Sequence, residues 1–284
     1  MTKGILIFAH NNEYVDYAKL ALVSGSLAKK YLKMPISLVT DKHTLEWIKK
    51  SKIDSDINNV FEQIIEVPPP VTNNNRHLYD GKDKSLVPFT NINRCSAYDL
   101  TPYDTTLLID SDFLIFSDAL NNYWDVCDDV LIAESVVDAV GQHRLGHLDH
   151  HISDTGIKMR WATTVMFEKN EKTRRFFNLI SYIKDEYEMF ADLFRFNPLQ
   201  YRNDISFSIA KHIMDGYTEA ETYHLPTLLT VLDRDILIDV KNKDLIFLFD
   251  EKNETLAGKI QGRDVHIMNK QSLIRNASNI LESI

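Results

Sequence analysis

Thr105-Thr106-Leu107-Leu108-Ile109-Asp110-Ser111-Asp112-Phe113-Leu114-Ile115-Phe116 is an apolar run of strand composition that delivers two carboxylates two residues apart. In an extended chain, side chains at i and i+2 share a face, so Asp110 and Asp112 are expected to converge on one cation while Ser111 points away. A hard divalent ion takes such oxygen ligands. The plainer reading is a pair of solvated turn carboxylates. An EF-hand calcium loop is excluded, because Leu114 and its apolar neighbours stand where ligands should be and no glycine sits at the tight turn. A cation held at a strand end stabilises negative charge growing on a leaving diphosphate without any proton transfer, which is what departure of a nucleoside diphosphate from a sugar requires.

Outward from this motif the chain alternates strands and helices. Gly4 to Ala9 reads as a buried strand, Tyr14 to Tyr31 as a helix and Ile36 to Thr40 as a second strand ending at Asp41, a β-α-β opening. A short helix over His43 to Lys50 and a strand over Phe61 to Val67 follow, until Pro68-Pro69-Pro70 opens a long loop to about Gly81. Ile92 to Leu100 reads as a helix leading into the Asp110/Asp112 strand, Leu120 to Trp124 as a helix and Val130 to Ala133 as a strand. Ser135 to Lys158 is polar and is expected to be a long active-site loop. Beyond it come a strand over Trp161 to Phe167, helices over Lys172 to Phe190 and Asp204 to His212, and strands near Ile236 to Val240, Leu245 to Phe249 and Val265 to Met268. A final helix begins at Ser272. The expected class is α/β, one domain over 1–284, with a nucleotide-binding half at 1–134 and an acceptor-side, metal-completing half at 135–284. In open α/β sheets ligands sit beyond the C-terminal strand ends, which here means His10/Asn11, Asp41 and Asp110/Asp112.

The 284 residues suit one large or two small domains. A net charge of −9 and a pI near 5.6 argue against a surface that embraces duplex DNA. Cys95 and Cys127 have no metal-ligand spacing and fit free thiols in a reducing compartment. The N-terminal apolar run is too short for a signal peptide, and no segment reaches membrane length, so a cytoplasmic protein is expected.

A nucleotide-binding opening, a D-x-D after a central apolar strand and a late histidine together resemble the GT-A fold glycosyltransferases, nearest the glycogenin-like, family 8-like group. Uncharacterised phage and bacterial glycosyltransferases of similar length share this opening. The resemblance runs in order through Gly4-Ile5-Leu6-Ile7-Phe8-Ala9, Leu38-Val39-Thr40-Asp41, Arg94 and Leu107-Leu108-Ile109-Asp110-Ser111-Asp112. It implies a Rossmann-like nucleotide-binding half with a mixed central sheet and a metal-dependent transfer of sugar, with retention, from a nucleoside diphosphate, UDP above all. The acceptor would be a hydroxyl of a glycan, protein or lipid rather than DNA. His266 and Lys270 in Val265-His266-Ile267-Met268-Asn269-Lys270 are similar to the family's third metal ligand and its diphosphate lysine, at shorter spacing. Two carboxylates and an imidazole suit Mn²⁺, with Mg²⁺ as the alternative.

By the same resemblance Arg94 reaches the phosphates, with Lys84 a weaker substitute, and Ala9, His10, Asn11, Asp41 and Ser111 complete the donor-binding set. Asn203 and Asp204 are the candidates nearest the chemistry. Asp204 would be a base in an inverting enzyme, and in a retaining one it would orient the donor and steady an oxocarbenium-like transition state. Each has a structural alternative: Asn11, Asn12 or Asp204 as a helix cap, Arg94 as a surface charge and His266 as a half-buried strand end. Trp161-Ala162-Thr163 stands where the group has Asn-Ala-Gly, a departure in the sugar-contacting strand. Asp138 could bind a sugar hydroxyl or merely decorate its loop.

The same sequence admits three other readings. His143, His147, His150 and His151 could be drawn as a zinc site, but no cysteine joins them and glycines surround them, so an acceptor-facing loop is expected. A haloacid-dehalogenase-like phosphatase would use Asp110 as nucleophile and Asp112 as acid/base, but its motif normally lies on an early strand. A non-catalytic nucleotide-binding protein would share the fold without the chemistry.

Overall fold

The computed structural model describes residues 1–70, 74–133, 135–218, 223–252 and 254–284. The chain opens with β1 (Lys3–Phe8), α1 (Tyr17–Leu32), β2 (Ile36–Asp41), α2 (Lys42–Lys50), α3 (Asp54–Val60) and β3 (Gln63–Val67). A hairpin of β4 (Asn75–Asp80) and β5 (Asp83–Pro88) leads to the short α4 (Ala97–Leu100), then β6 (Thr105–Ile109) and β7 (Phe113–Leu114). Next come β8 (Val130–Ala133), β9 (Val136–Asp138), α5 (His147–His150), β10 (His151–Ile152), β11 (Ile157–Lys158) and β12 (Trp161–Glu168). Three helices follow, α6 (Glu171–Asp185), α7 (Tyr187–Phe194) and α8 (Asn203–Met214). The chain closes with β13 (Leu228–Val231), β14 (Ile236–Lys241), β15 (Asp244–Glu251), β16 (Glu254–Gln261), β17 (Val265–Ile267) and α9 (Lys270–Glu282).

The expected α/β class with a mixed central sheet is what forms. Six strands lie in the order β3-β2-β1-β6-β12-β8; β3, β2, β1 and β6 pair in parallel, and β12 runs antiparallel to both its neighbours. Ile5, Leu6 and Ile7 of β1 and Leu107 and Leu108 of β6 are fully buried, as both faces of a parallel sheet must be. Gly4 is obligatory for a packing reason: a Cβ there would meet the Tyr103 ring at 2.4 Å, and that ring is fixed by a 2.8 Å hydrogen bond between its hydroxyl and Ser37. Helix α1 starts three residues later than the sequence suggested, because Asp16 caps it through the amide of Lys19. Behind β12, Phe167, Phe176, Phe177 and Phe207 pack α6 and α8 onto the sheet, with Phe176 and Phe177 edge to face at 5.5 Å.

A second sheet, β7-β17-β13-β9, stands at the C-terminal ends of the central strands. Its strand β17 pairs antiparallel with β7, setting His266 opposite Phe113, and this brings residue 266 to the D-x-D. A third sheet, β14-β15-β16, packs against α9.

Several expectations need correction. The stretch from Pro68 to Gly81 is not all loop, since β4 occupies its second half; Gly81, at φ +64, opens the two-residue turn into β5. The Ser135–Lys158 segment carries β9, α5 and the β10–β11 hairpin. The helix expected over Lys172–Phe190 breaks at Glu186 into α6 and α7, and that over Ile92–Leu100 is a 3-10 turn (Arg94–Ser96) followed by one α turn. Ala119–Tyr123 is likewise 3-10. Strands β13 and β16 were not expected. Most of β16 faces solvent, so no apolar pattern marks it.

Candidate active site

The D-x-D is not extended. Strand β6 ends at Ile109 and the chain turns through Asp110 to Asp112, with the amide of Phe113 donating to the Asp110 carbonyl at 3.2 Å. Period-two alternation therefore lapses, and Ser111 lines the same cavity as the two aspartates instead of pointing away. That cavity, about 380 Å³, opens at the C-terminal edge of the sheet and receives Arg94, Asn203, Asp204, His266 and Lys270 as well.

The ligand atoms of Asp110, Asp112 and His266 all lie within 4.8 Å of one another. His266 Nε2 stands 3.5 Å from Asp112 Oδ1, while its Nδ1 lies 3.4 Å from Thr230 Oγ1 on the neighbouring strand, which orients the ring. Trp161 packs edge-on at 6.1 Å and walls the imidazole in. The donor set, two carboxylates and an imidazole, could hold a divalent cation.

The two aspartates are held by cations of the protein itself. Arg94 Nη1 donates to Asp110 Oδ1 at 2.7 Å, and Lys270 Nζ is paired with Asp112 Oδ2. Burial disfavours ionised Asp112, but the Lys270 charge and then that of His266 outweigh it and hold the carboxyl well below its usual range. Asp110 moves the other way, because burial outweighs Arg94; a third of its side chain still meets the cavity, where solvent tempers that pull. Arg94 is otherwise buried, with Nε and Nη2 lacking partners among the described residues.

Asp204 is not a helix cap. Its Oδ1 accepts from the amide of Ala162 at 2.9 Å and its Oδ2 from Arg202 Nη2 at 3.2 Å, so the carboxylate ties the first turn of α8 to the start of β12. Asn203 donates to the Asn91 carbonyl at 3.1 Å, leaving its buried Oδ1 without a described partner.

Four residues of the expected donor set stand outside this cavity's wall: Ala9, His10, Asn11 and Asp41. Asp41 caps α2 through the amide of Thr44 at 2.7 Å and accepts from or pairs with His10 Nδ1 at 3.1 Å. Asn11 accepts from the amide of Ala18 at 2.8 Å and donates to Asp16 at 3.0 Å, fastening the start of α1. Phe8 and Tyr17 are what β1 and α1 present to the cavity instead.

Outside the cavity, Asp138 is clamped by Arg144, which also grips Asp235 at 2.8 Å. Lys84 lies over the Tyr79 ring at 5.5 Å. Of the loop histidines, His143 pairs with Glu251 at 2.9 Å, His147 meets the Ser153 carbonyl at 2.8 Å and His147 stacks on His151 at 4.6 Å.

Sequence reasoning missed the far wall, Arg76, His77 and Tyr79 of the β4–β5 hairpin, along with Arg202 and Asp233. The Asp80-Gly81 dipeptide between two strand-like runs was the available signal for the hairpin. Nothing in the sequence marks Asp233.

No helix among the described residues is long and apolar enough to cross a membrane. No protein-family model matches the chain, and no curated protein matches it. Among solved structures it is similar to the galactosyltransferase LgtC crystallised with donor and acceptor sugar analogues, at 17% identity over 73% of this chain and 70% of that one, TM-score 0.46. It is also similar to the glycosyltransferase GlyE of Streptococcus pneumoniae TIGR4, at 13% identity over 73% and 43% of the two chains, TM-score 0.40. A third likeness is to TarS of S. aureus, at 14% identity over 75% and 34%, TM-score 0.37.

Proposed function

We propose that this protein is a metal-dependent glycosyltransferase of the GT-A type, moving a sugar from a UDP-sugar to a hydroxyl acceptor with retention at the anomeric carbon. The observation that carries the reading is the meeting of Asp110, Asp112 and His266 donor atoms, from positions far apart in sequence, at one cavity that also holds Lys270 and Asp204. Asp110, Asp112 and His266 would hold the cation, Mn²⁺ by its donor set. Bound there, it supplies charge stabilisation to a departing diphosphate.

The residues of the chain supply the rest. Lys270 places a buried positive charge beside the metal ligands, where the diphosphate charge would develop. Trp161 and Thr163 line the cavity and would bound the sugar. Asp204 has both carboxylate oxygens engaged, by the Ala162 amide and by Arg202, and this fixed orientation supports electrostatic steadying of an oxocarbenium-like centre over base catalysis. A haloacid-dehalogenase-like phosphatase would need Asp110 free as a nucleophile, and its pairing with Arg94 at 2.7 Å speaks against that.

The test is UDP release from a panel of UDP-sugars with Mn²⁺ or with EDTA, alongside melting curves with UDP, GDP, CDP and ADP. Mn²⁺-dependent turnover that Asp112→Asn lowers by at least ~100-fold, with the fold intact, is the expected result. Equal turnover in EDTA, or full activity in Asp112→Asn, would refute the metal role. No nucleotide raising the melting temperature would refute the donor assignment.

A further inference from the structure

Behind α8, on the side away from the D-x-D, lies a second cavity of about 410 Å³. Helix α8 is the partition between the two: Asn203 and Asp204 in its first turn face one, and Ser208 and His212 face the other. The start of β12 divides in the same way, Trp161 to the first cavity and Arg160 to the second.

Arg160 is the telling residue. It is only 8% exposed, and among the described residues its guanidinium has no carboxylate partner and no side-chain hydrogen bond; only its backbone is engaged, by Ser208 Oγ at 2.8 Å. None of its side-chain nitrogens is sealed from solvent without a partner, so what solvent they meet is that of the cavity they line. A buried, unpaired guanidinium is costly unless something of opposite charge is to fill its fork.

The surroundings fit an oxyanion. The hydroxyls of Thr155 and Thr218 lie in the lining but donate to the Ile152 and Asp215 carbonyls, each at 2.8 Å, so the imidazole of His212 is the polar group at the opening that stands ready beside Arg160. The one described carboxylate in the lining, Asp215, is already neutralised, both its oxygens being held by Lys211 at 2.5 and 2.8 Å. Lys158 lines the cavity too and has partners of its own. The negative end of the α8 dipole also points this way, but the amides of Asp215, Gly216 and Tyr217 cap its last carbonyls. At Gly156 a Cβ would meet nothing within 4 Å, so the mouth is open on that side.

We propose that this second cavity is a binding site for a small ligand bearing an oxyanion, a phosphomonoester or a carboxylate, gripped by Arg160 with His212 at its rim. A cavity of this size exceeds a bare anion and suits one carried at the end of a larger molecule. The proposal does not depend on the activity of the first cavity.

The test uses the full chain with inorganic phosphate and, separately, acetate at constant ionic strength. The reporter is the His212 ring proton resonance, assigned by its loss in His212→Asn, because phosphate entering the D-x-D cavity does not touch His212. A saturable shift of that resonance is expected, with a melting-temperature rise of about 2–5 °C. Arg160→Gln should abolish the shift and at least part of that rise. Tighter saturation by phosphate assigns the phosphomonoester, and by acetate the carboxylate. Should Arg160→Gln fail to fold, His212→Glu, which puts a negative charge on the rim, must weaken phosphate by at least ~10-fold as read by the melting curves. A His212 resonance that moves with neither anion, a shift that persists in Arg160→Gln, or undiminished phosphate stabilisation in His212→Glu would overturn the proposal.

Discussion

Lys270→Met isolates the central electrostatic argument, since methionine keeps most of the aliphatic stem and removes the charge. In the native protein the ammonium is 6% exposed and paired with an Asp112 side chain that is 4% exposed, so neither charge is well hydrated. Removing one partner of such a pair costs about 3–5 kcal/mol, because the other is left buried and uncompensated. His266 Nε2, at 3.5 Å, is then the remaining described basic group paired with Asp112. At about 2 °C per kcal/mol for a chain of this size, the variant should melt roughly 6–10 °C below the native protein in EDTA. Mn²⁺ at a hundred times its dissociation constant should then restore about 2.7 kcal/mol. The native protein should gain less from the same Mn²⁺, because its lysine already occupies Asp112. Thermal and urea melts by circular dichroism, in EDTA and in Mn²⁺, read both effects, and adding Asp112→Asn to the variant should recover part of the loss. Equal melting of the two proteins in EDTA, or a larger Mn²⁺ gain in the native protein, would refute the reasoning.

Two further substitutions probe the scaffold. Gly4→Ala should cost about 1–3 kcal/mol in urea unfolding, since the new methyl meets a buried tyrosine ring whose hydroxyl is pinned to Ser37; an unchanged midpoint would mean that Tyr103 shifts freely. Asp41→Asn keeps an acceptor for the Thr44 amide but loses the charged partner of His10, and should cost about 1.5–3 kcal/mol at pH 7. Burial draws the Asp41 carboxyl upward, but the hydrogen bonds from His10 and Thr44 outweigh it and leave it below 3.8. Its contribution is therefore complete above the unfolded value near 3.8 and is lost as pH falls through the lower folded value, so the gap between native and variant must close in that acid window and nowhere above it.

The central sheet was readable because a strand buried on both faces has no choice of composition: Ile5-Leu6-Ile7 and Leu107-Leu108-Ile109 can hardly be anything else. The D-x-D and His266 were readable as chemistry, and the antiparallel pairing of β17 with β7 brings them together. What escaped was set by tertiary context. Asp41 follows an apolar strand just as a ligand-binding acid would, yet the amide of Thr44 and the ring of His10 claim it first. The cap alternative for Asp204 falls for the same reason, since α8 sits so that the Ala162 amide and Arg202 engage its carboxylate. Ser111 was assigned to the wrong face because a strand period was extended through a turn. The β4–β5 hairpin was hidden behind three prolines and a run of asparagines, which read as loop until the Gly81-Lys82 turn that follows Asp80 is given its weight.

The pairing of Lys270 with Asp112 spans 158 residues. On a ribosome adding roughly 5–20 residues per second, the aspartate emerges about 8–30 s before the lysine that neutralises it. Through that interval the parallel core can assemble while its acidic turn stands open to water and ions. A nascent chain stopped between β12 and β17 thus carries all six central strands but neither His266 nor Lys270, so the neutralisation of Asp112 reports on synthesis past residue 270 rather than on a collapsed core.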